Sequence, residues 1–86
     1  MITVDFSKRG ETGLCEYLYN SIKAQILEGK LPANSKLPSK RSLSSHLGIS
    51  VITTQNAYAQ LISEGYIYSI EKKGFFVTDI PVSNNS

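Results

Sequence analysis

The 86-residue sequence holds one cysteine, Cys15, and one histidine, His46. A single thiol excludes an internal disulfide, and one cysteine with one histidine falls short of a four-ligand structural zinc site. The fold must therefore rest on its hydrophobic core, a state suited to a reducing cytosol. No apolar run approaches the roughly 18 residues that a membrane span needs. The opening MITVDFSKRG lacks the apolar stretch of a signal peptide. A cytoplasmic protein is expected. Enzyme chemistry is poorly provided for: no Ser/His/Asp or Cys/His arrangement, no glycine-rich phosphate loop and no paired carboxylates on one helix face can be assembled. Cys15 reads as a small buried hydrophobe.

Acid is scarce in one place only. No Asp or Glu lies between Gly29 and Ser63, where Lys30, Lys36, Lys40 and Arg41 all fall, and Lys72 and Lys73 follow at a predicted turn. The acids gather at the two ends: Asp5, Glu11, Glu16 and Glu28, then Glu64, Glu71 and Asp79. The net charge of +2 says little; its distribution suits a surface that faces a polyanion. Solvated lysines spaced by chance account for the charge alone equally well.

What remains is an ordinary folding composition, 41% hydrophobic and 19% charged, in a chain long enough for one small domain. From Leu14 to Leu27, the positions Leu14, Tyr17, Leu18, Ile22 and Ile26 make an amphipathic stripe, with Thr12 as N-cap and Gly29 as a left-handed stop. Lys30 to Leu37 carries Pro32 and an Asn-Ser pair, is followed directly by Pro38, and reads as loop or extended linker. Ser39 then caps a short helix over Lys40 to Leu47, with Leu43 and Leu47 inward. After Gly48-Ile49, Ser50 caps a third helix that runs to about Glu64 and stops at Gly65. Its inward stripe is Thr54, Ala57, Tyr58 and Leu61. Tyr66 to Ile70 and Phe75 to Ile80 read as strands around a Glu-Lys-Lys-Gly turn. The expected fold is α+β, a winged helix-turn-helix: three helices followed by a two-stranded β-hairpin wing. Residues 1–11 form an N-terminal arm, 12–80 the domain, and 81–86 the start of a linker.

Two short helices joined by Gly48-Ile49-Ser50 are a helix-turn-helix. In such a pair the second helix presents its first outward residues to base edges while the first braces it. Those outward residues are Val51, Ile52, Thr53, Gln55 and Asn56. Gln and Asn pair bidentately with adenine, and an exposed Val or Ile can meet a thymine methyl. At the hairpin tip, Gly74 permits a close approach to a sugar-phosphate backbone, and Lys72 and Lys73 neutralise phosphate or enter the minor groove. Helical stripes alone describe many cores, and a lysine-tipped turn is commonly only solvated. Their combination points to double-stranded DNA, with helix 50–64 reading the major groove and the 70–75 hairpin as wing. The competing class is a protein-interaction winged helix, which lacks a basic surface; Lys36, Lys40, Arg41, Lys72 and Lys73 oppose it.

Leu37-Pro38-Ser39-Lys40-Arg41, Leu47-Gly48-Ile49-Ser50, Ala57-Tyr58-Ala59-Gln60-Leu61, Glu64-Gly65-Tyr66 and Gly74-Phe75-Phe76-Val77 together resemble the GntR family of bacterial transcription regulators. The Ala57-Tyr58 pair and the Lys-Leu-Pro-Ser-Lys-Arg run look most like its MocR branch. The resemblance covers roughly residues 12 to 78 and implies an operator-binding domain. It implies contacts by Ser39, Lys40 and Arg41, by Ser50, Val51, Thr53 and Gln55, and by Lys73 and Gly74 at the wing. The family usually has a basic residue where this chain has Val51, and often one where it has Gln55, so its contacts should lean toward A·T pairs. Family members carry a second domain that senses a ligand and dimerises. In the MocR branch it resembles an aminotransferase binding pyridoxal phosphate, whereas no cofactor and no metal are expected within these residues. The resemblance thus implies an N-terminal part of a longer, homodimeric regulator, and for the domain alone a monomer or weak dimer. Tyr17, Tyr19 and Leu27 are the helix 1 residues that could add a minor dimer contact.

Overall fold

A computed structural model of the protein describes Val4, Phe6 and residues 13–79. Helix α1 spans Leu14–Leu27, α2 Lys40–Leu47 and α3 Val51–Ser63, with strands β1 at Lys36–Leu37, β2 at Ile67–Ile70 and β3 at Gly74–Val77. The N-cap of α1 is Gly13, with no side-chain cap, so the cap expected of Thr12 moves one residue on; Thr12 itself lies outside the described residues. At the other end Gly29, at φ 82°, ends α1 as expected. Gly29 N–H donates to the Ile26 carbonyl and Lys30 N–H to that of Gln25, a Schellman closure. Helix α3 stops the same way: Gly65 N–H donates to the Ile62 carbonyl and Tyr66 N–H to that of Leu61. That last bond uses the Tyr66 amide for the helix end, so β2 starts at Ile67 and not at Tyr66.

The main correction concerns the segment expected as loop. Lys36 and Leu37 form β1, antiparallel to β3, with Lys36 opposite Phe76 and Leu37 opposite Phe75. The sheet therefore has three strands in the order β1-β3-β2 instead of a two-stranded hairpin. The β1 side of the ladder continues through Asn34 N–H to the Val77 carbonyl at 2.7 Å and Val77 N–H to that of Ser35 at 3.0 Å. Strand β3 ends at Val77, shorter than the span to Ile80 expected of it; Ile80 lies outside the described residues.

The core fills the space between α1, the helix pair and the base of the sheet. Leu18 and Ile22 of α1, Leu43 of α2, Ala57, Tyr58 and Leu61 of α3, Leu37, Ile67 and Val77 are all buried. The inward stripe expected of α3, Thr54 included, is wholly buried. Leu14, Tyr17 and Leu47 are only half-buried. Tyr19, considered as a dimer contact, is instead 7% exposed and part of the core, which removes it from any free surface. Val4 and Phe6 pack on the core, Phe6 against the Tyr17 ring at 5.8 Å. No helix among the described residues is long and apolar enough to cross a membrane.

Candidate nucleic-acid interface

The turn between α2 and α3 is three residues, Gly48-Ile49-Ser50. Gly48 has φ 72°, a left-handed conformation that a Cβ would strain, so glycine lets α2 end in a single residue. Its N–H and that of Ile49 both donate to the Ser44 carbonyl, at 2.8 and 3.0 Å. Beneath the turn lies a buried polar knot. Ser44 Oγ is 2.7 Å from Thr54 Oγ1, 2.7 Å from the Lys40 carbonyl and 3.2 Å from the Ser50 carbonyl. Ser44 has one proton for these contacts, so the hydroxyl of Thr54 adds a second donor to the cluster. The knot ties α2, the turn and α3 together from inside, which sets the angle at which α3 is displayed.

A second link runs from α3 to the approach of α2. Tyr58 is 1% exposed and its hydroxyl donates to the Pro38 carbonyl at 2.9 Å. Burial pushes its pKa far up, so it remains a neutral donor. Its ring meets Phe75 edge-on at 4.8 Å, joining the recognition helix to the wing strand β3. Lys40 Nζ lies 5.9 Å from the Phe75 ring centre, on the same strand. Helix pair and wing are thus one packed unit.

The outward residues of α3 lie where the pattern put them. Ile52 is 66% and Val51 40% exposed, and Gln55 and Asn56 are exposed, whereas Thr53 is half-buried. Ser50 Oγ accepts from Thr53 N–H at 3.1 Å and pairs with Thr53 Oγ1 at 2.8 Å. Ser39 Oγ likewise accepts from Ser42 N–H at 3.1 Å. Both serines are therefore helix caps first, and a hydroxyl that accepts in capping keeps its proton to donate outward. Arg41 is exposed on α2.

In the wing, Lys73 N–H donates to the Ile70 carbonyl at 2.9 Å, closing a turn whose third residue, Lys72, has φ 70°. Gly74 follows at φ 121°, and a Cβ there would lie 3.4 Å from Lys36 Cε. That contact with the end of a flexible side chain is an ordinary one, so it is the backbone path that calls for glycine. An open groove runs from Lys36, Leu37 and Pro38 across Ser39 and Ser42 to Lys73 and Gly74. It gathers Lys36, Ser39, Lys73 and Gly74, which lie far apart in sequence, on one surface. Sequence reasoning missed Ser42; its signal was the i+3 spacing from the Ser39 cap.

A three-helix unit with its second and third helices joined by a tight turn, and a β-hairpin packed against them, defines a winged helix-turn-helix domain. The model of the GntR family of bacterial regulatory proteins matches residues 14–77, and the chain belongs to that family. It is 40% identical over 79 residues to the uncharacterized HTH-type transcriptional regulator YhdI of Bacillus subtilis, covering 92% of this chain and 17% of that protein. To the probable rhizopine catabolism regulatory protein MocR of Rhizobium meliloti it is 38% identical over 64 residues, covering 74% of this chain and 13% of the relative. The chain thus spans about a sixth or less of the length of these relatives. Both relatives bear the names of regulatory proteins. Among solved structures, a transcriptional antiterminator from Listeria monocytogenes superimposes with TM-score 0.84 at 26% identity, over 100% of this chain and 63% of that one. The AraR DNA-binding domain, solved with its operator ORR3, gives TM-score 0.71 at 29% identity, over 76% of this chain and 78% of that one.

Proposed function

We propose that this chain binds operator DNA with α3 in the major groove and the wing alongside, as part of a transcription regulator acting in the cytoplasm. The observation that carries it is the groove in which Lys36 and Lys73 meet Ser39 and Ser42 beside the α2–α3 pair. Lysines there neutralise phosphate and seryl hydroxyls hydrogen-bond to it, which fixes the register of the protein on the duplex. Arg41, Lys40 and Lys72 extend the grip, and Val51, Ile52, Thr53, Gln55 and Asn56 face the bases, with Ser50 and Gly74 bringing backbone close. The operator-bound AraR domain, alike in fold, supports this arrangement. The test is the salt dependence of duplex binding. A log–log slope of roughly −0.9 per phosphate contact is expected, and Lys73→Ala should shrink it by about 1. A flat slope would favour the protein-interaction alternative.

We further propose that residues 12–80 are the DNA-binding unit of a longer, homodimeric regulator of the MocR-like branch, with 81–86 entering the linker and the chain alone a monomer or weak dimer. The 38% identity to MocR and the short share of that relative's length support this. Two concavities of the described residues are lined by lysine, one by Lys72 and Lys73 and one by Lys36 and Lys73, and both are open to solvent. On this proposal pyridoxal phosphate belongs to the other domain.

A further inference from the structure

The base-facing end of α3 has an unusual chemistry. Helix α3, VITTQNAYAQLIS, has no charged side chain. Its first turn offers few free hydrogen-bonding groups: Ser50 and Thr53 bond to each other, and the Thr54 hydroxyl is buried against Ser44. What projects from that turn is branched hydrocarbon, Val51 at 40% and Ile52 at 66% exposure, and neither packs on the core. Free amides appear only later along the helix, at Gln55 and Asn56.

The major groove offers one apolar feature at base edges, the methyl group at C5 of thymine. We propose that Val51 and Ile52 make this domain a reader of pyrimidine 5-methyl groups, so that it recognises thymine and 5-methylcytosine alike and discriminates against uracil and unmodified cytosine. This rests on the DNA-binding role proposed above and deepens it. β-Branched side chains in a helix hold nearly a single χ1 rotamer, so their methyl groups are fixed before the duplex arrives and little freedom is lost on contact. Binding strength from the lysine flanks is indifferent to base identity. Discrimination is left to the neutral helix, and what its leading turn exposes most is hydrocarbon.

The test uses the 86-residue chain at low salt with two pairs of synthetic duplexes. One pair is alternating dA-dT against alternating dA-dU; the other is alternating dG-dC against the same duplex carrying 5-methylcytosine. Within each pair only the pyrimidine methyl differs. Titration followed by fluorescence anisotropy should show tighter binding to the methylated member of both pairs, by roughly fourfold for each methyl group that Val51 or Ile52 covers. A double variant, Val51→Ala with Ile52→Ala, should bind both members of each pair equally while keeping the wild-type salt slope. Equal affinity of the unaltered chain within either pair overturns the inference, as does a methyl preference that persists in the double variant. Failure to bind any of the four duplexes would instead remove the DNA-binding role itself.

Discussion

Toward its N-terminal end α3 is held by the buried bond from the Ser44 hydroxyl to that of Thr54 and by the part-buried bond from the Tyr58 hydroxyl to the Pro38 carbonyl. At its C-terminal end it is held by the exposed Glu64, which accepts from the Tyr19 hydroxyl of α1 in a part-buried bond and from Gln60 in an exposed one at 3.4 Å. Lys23 completes that outer cluster, 5.6 Å from the Tyr19 ring centre and 5.4 Å from that of Tyr66. The two ends use similar atoms to different effect. A buried hydrogen bond is costly to leave half-made, whereas an exposed one has water as its substitute. The rigid end is the one displayed to the proposed ligand, where a small change in helix angle would displace every base contact. The softer end faces α1, where the angle matters less.

The contrast can be broken most severely beneath the turn. Leu43 is 0% exposed under the α2–α3 pair. Leu43→Ala should lower the unfolding free energy by about 2–5 kcal/mol, measured by urea denaturation. A loss below about 1 kcal/mol would mean that this end is not the firmly packed one. Next in size, Thr54→Val keeps the shape but leaves the Ser44 hydroxyl cluster short of a partner. It should cost about 1–3 kcal/mol and weaken DNA binding beyond what the stability loss explains. Unchanged stability would show that water replaces the lost hydroxyl.

The smallest effect belongs to Glu64→Gln. Accepting from Tyr19 and Gln60, with Lys23 nearby, holds the Glu64 carboxyl below its ordinary pKa. Its stabilisation is therefore present above the ordinary carboxylate range and is lost as pH falls through the lowered value. The same bond to Glu64 raises the Tyr19 pKa, chiefly because the hydroxyl must stay protonated to donate. The Lys23 pKa is raised as well, mainly by the electrostatic influence of Tyr19 and then Tyr66. These last two contributions are present below the ordinary pKa values and fade as pH rises through the raised ones. In Glu64→Gln, Tm should be slightly lower near neutrality, where these contributions are present, and should converge on the wild-type value at the acidic and alkaline ends, so that its plot against pH is flatter on both limbs. Retention of both limbs would place their origin elsewhere.

Much of this fold was legible in the chain because its signals are local. Ser39 and Ser50 cap their helices through bonds that span three residues, and the Thr54-Ala57-Tyr58-Leu61 stripe follows from helical periodicity. The missed features are those settled by partners distant in sequence. Lys36 and Leu37, between two prolines, carry no strand pattern; they become β1 because Phe75 and Phe76 lie opposite them. Tyr19 falls off the simple apolar stripe, yet its side chain joins the buried core and Glu64, just past α3, accepts from its hydroxyl.

The sequence by itself determined where each helix begins and ends, which face of α3 turns inward, and that the outward face has no charge. Those properties depend on neighbours within a few positions, where caps and periodicity operate. Only the tertiary structure decided that Lys36 joins Lys73 and Gly74 beside the start of α2, and that Ser44 and Thr54 lock the turn from below. The physical reason is that strand pairing and buried polar satisfaction are contracts between distant segments, and a chain states its own half of each without naming the other.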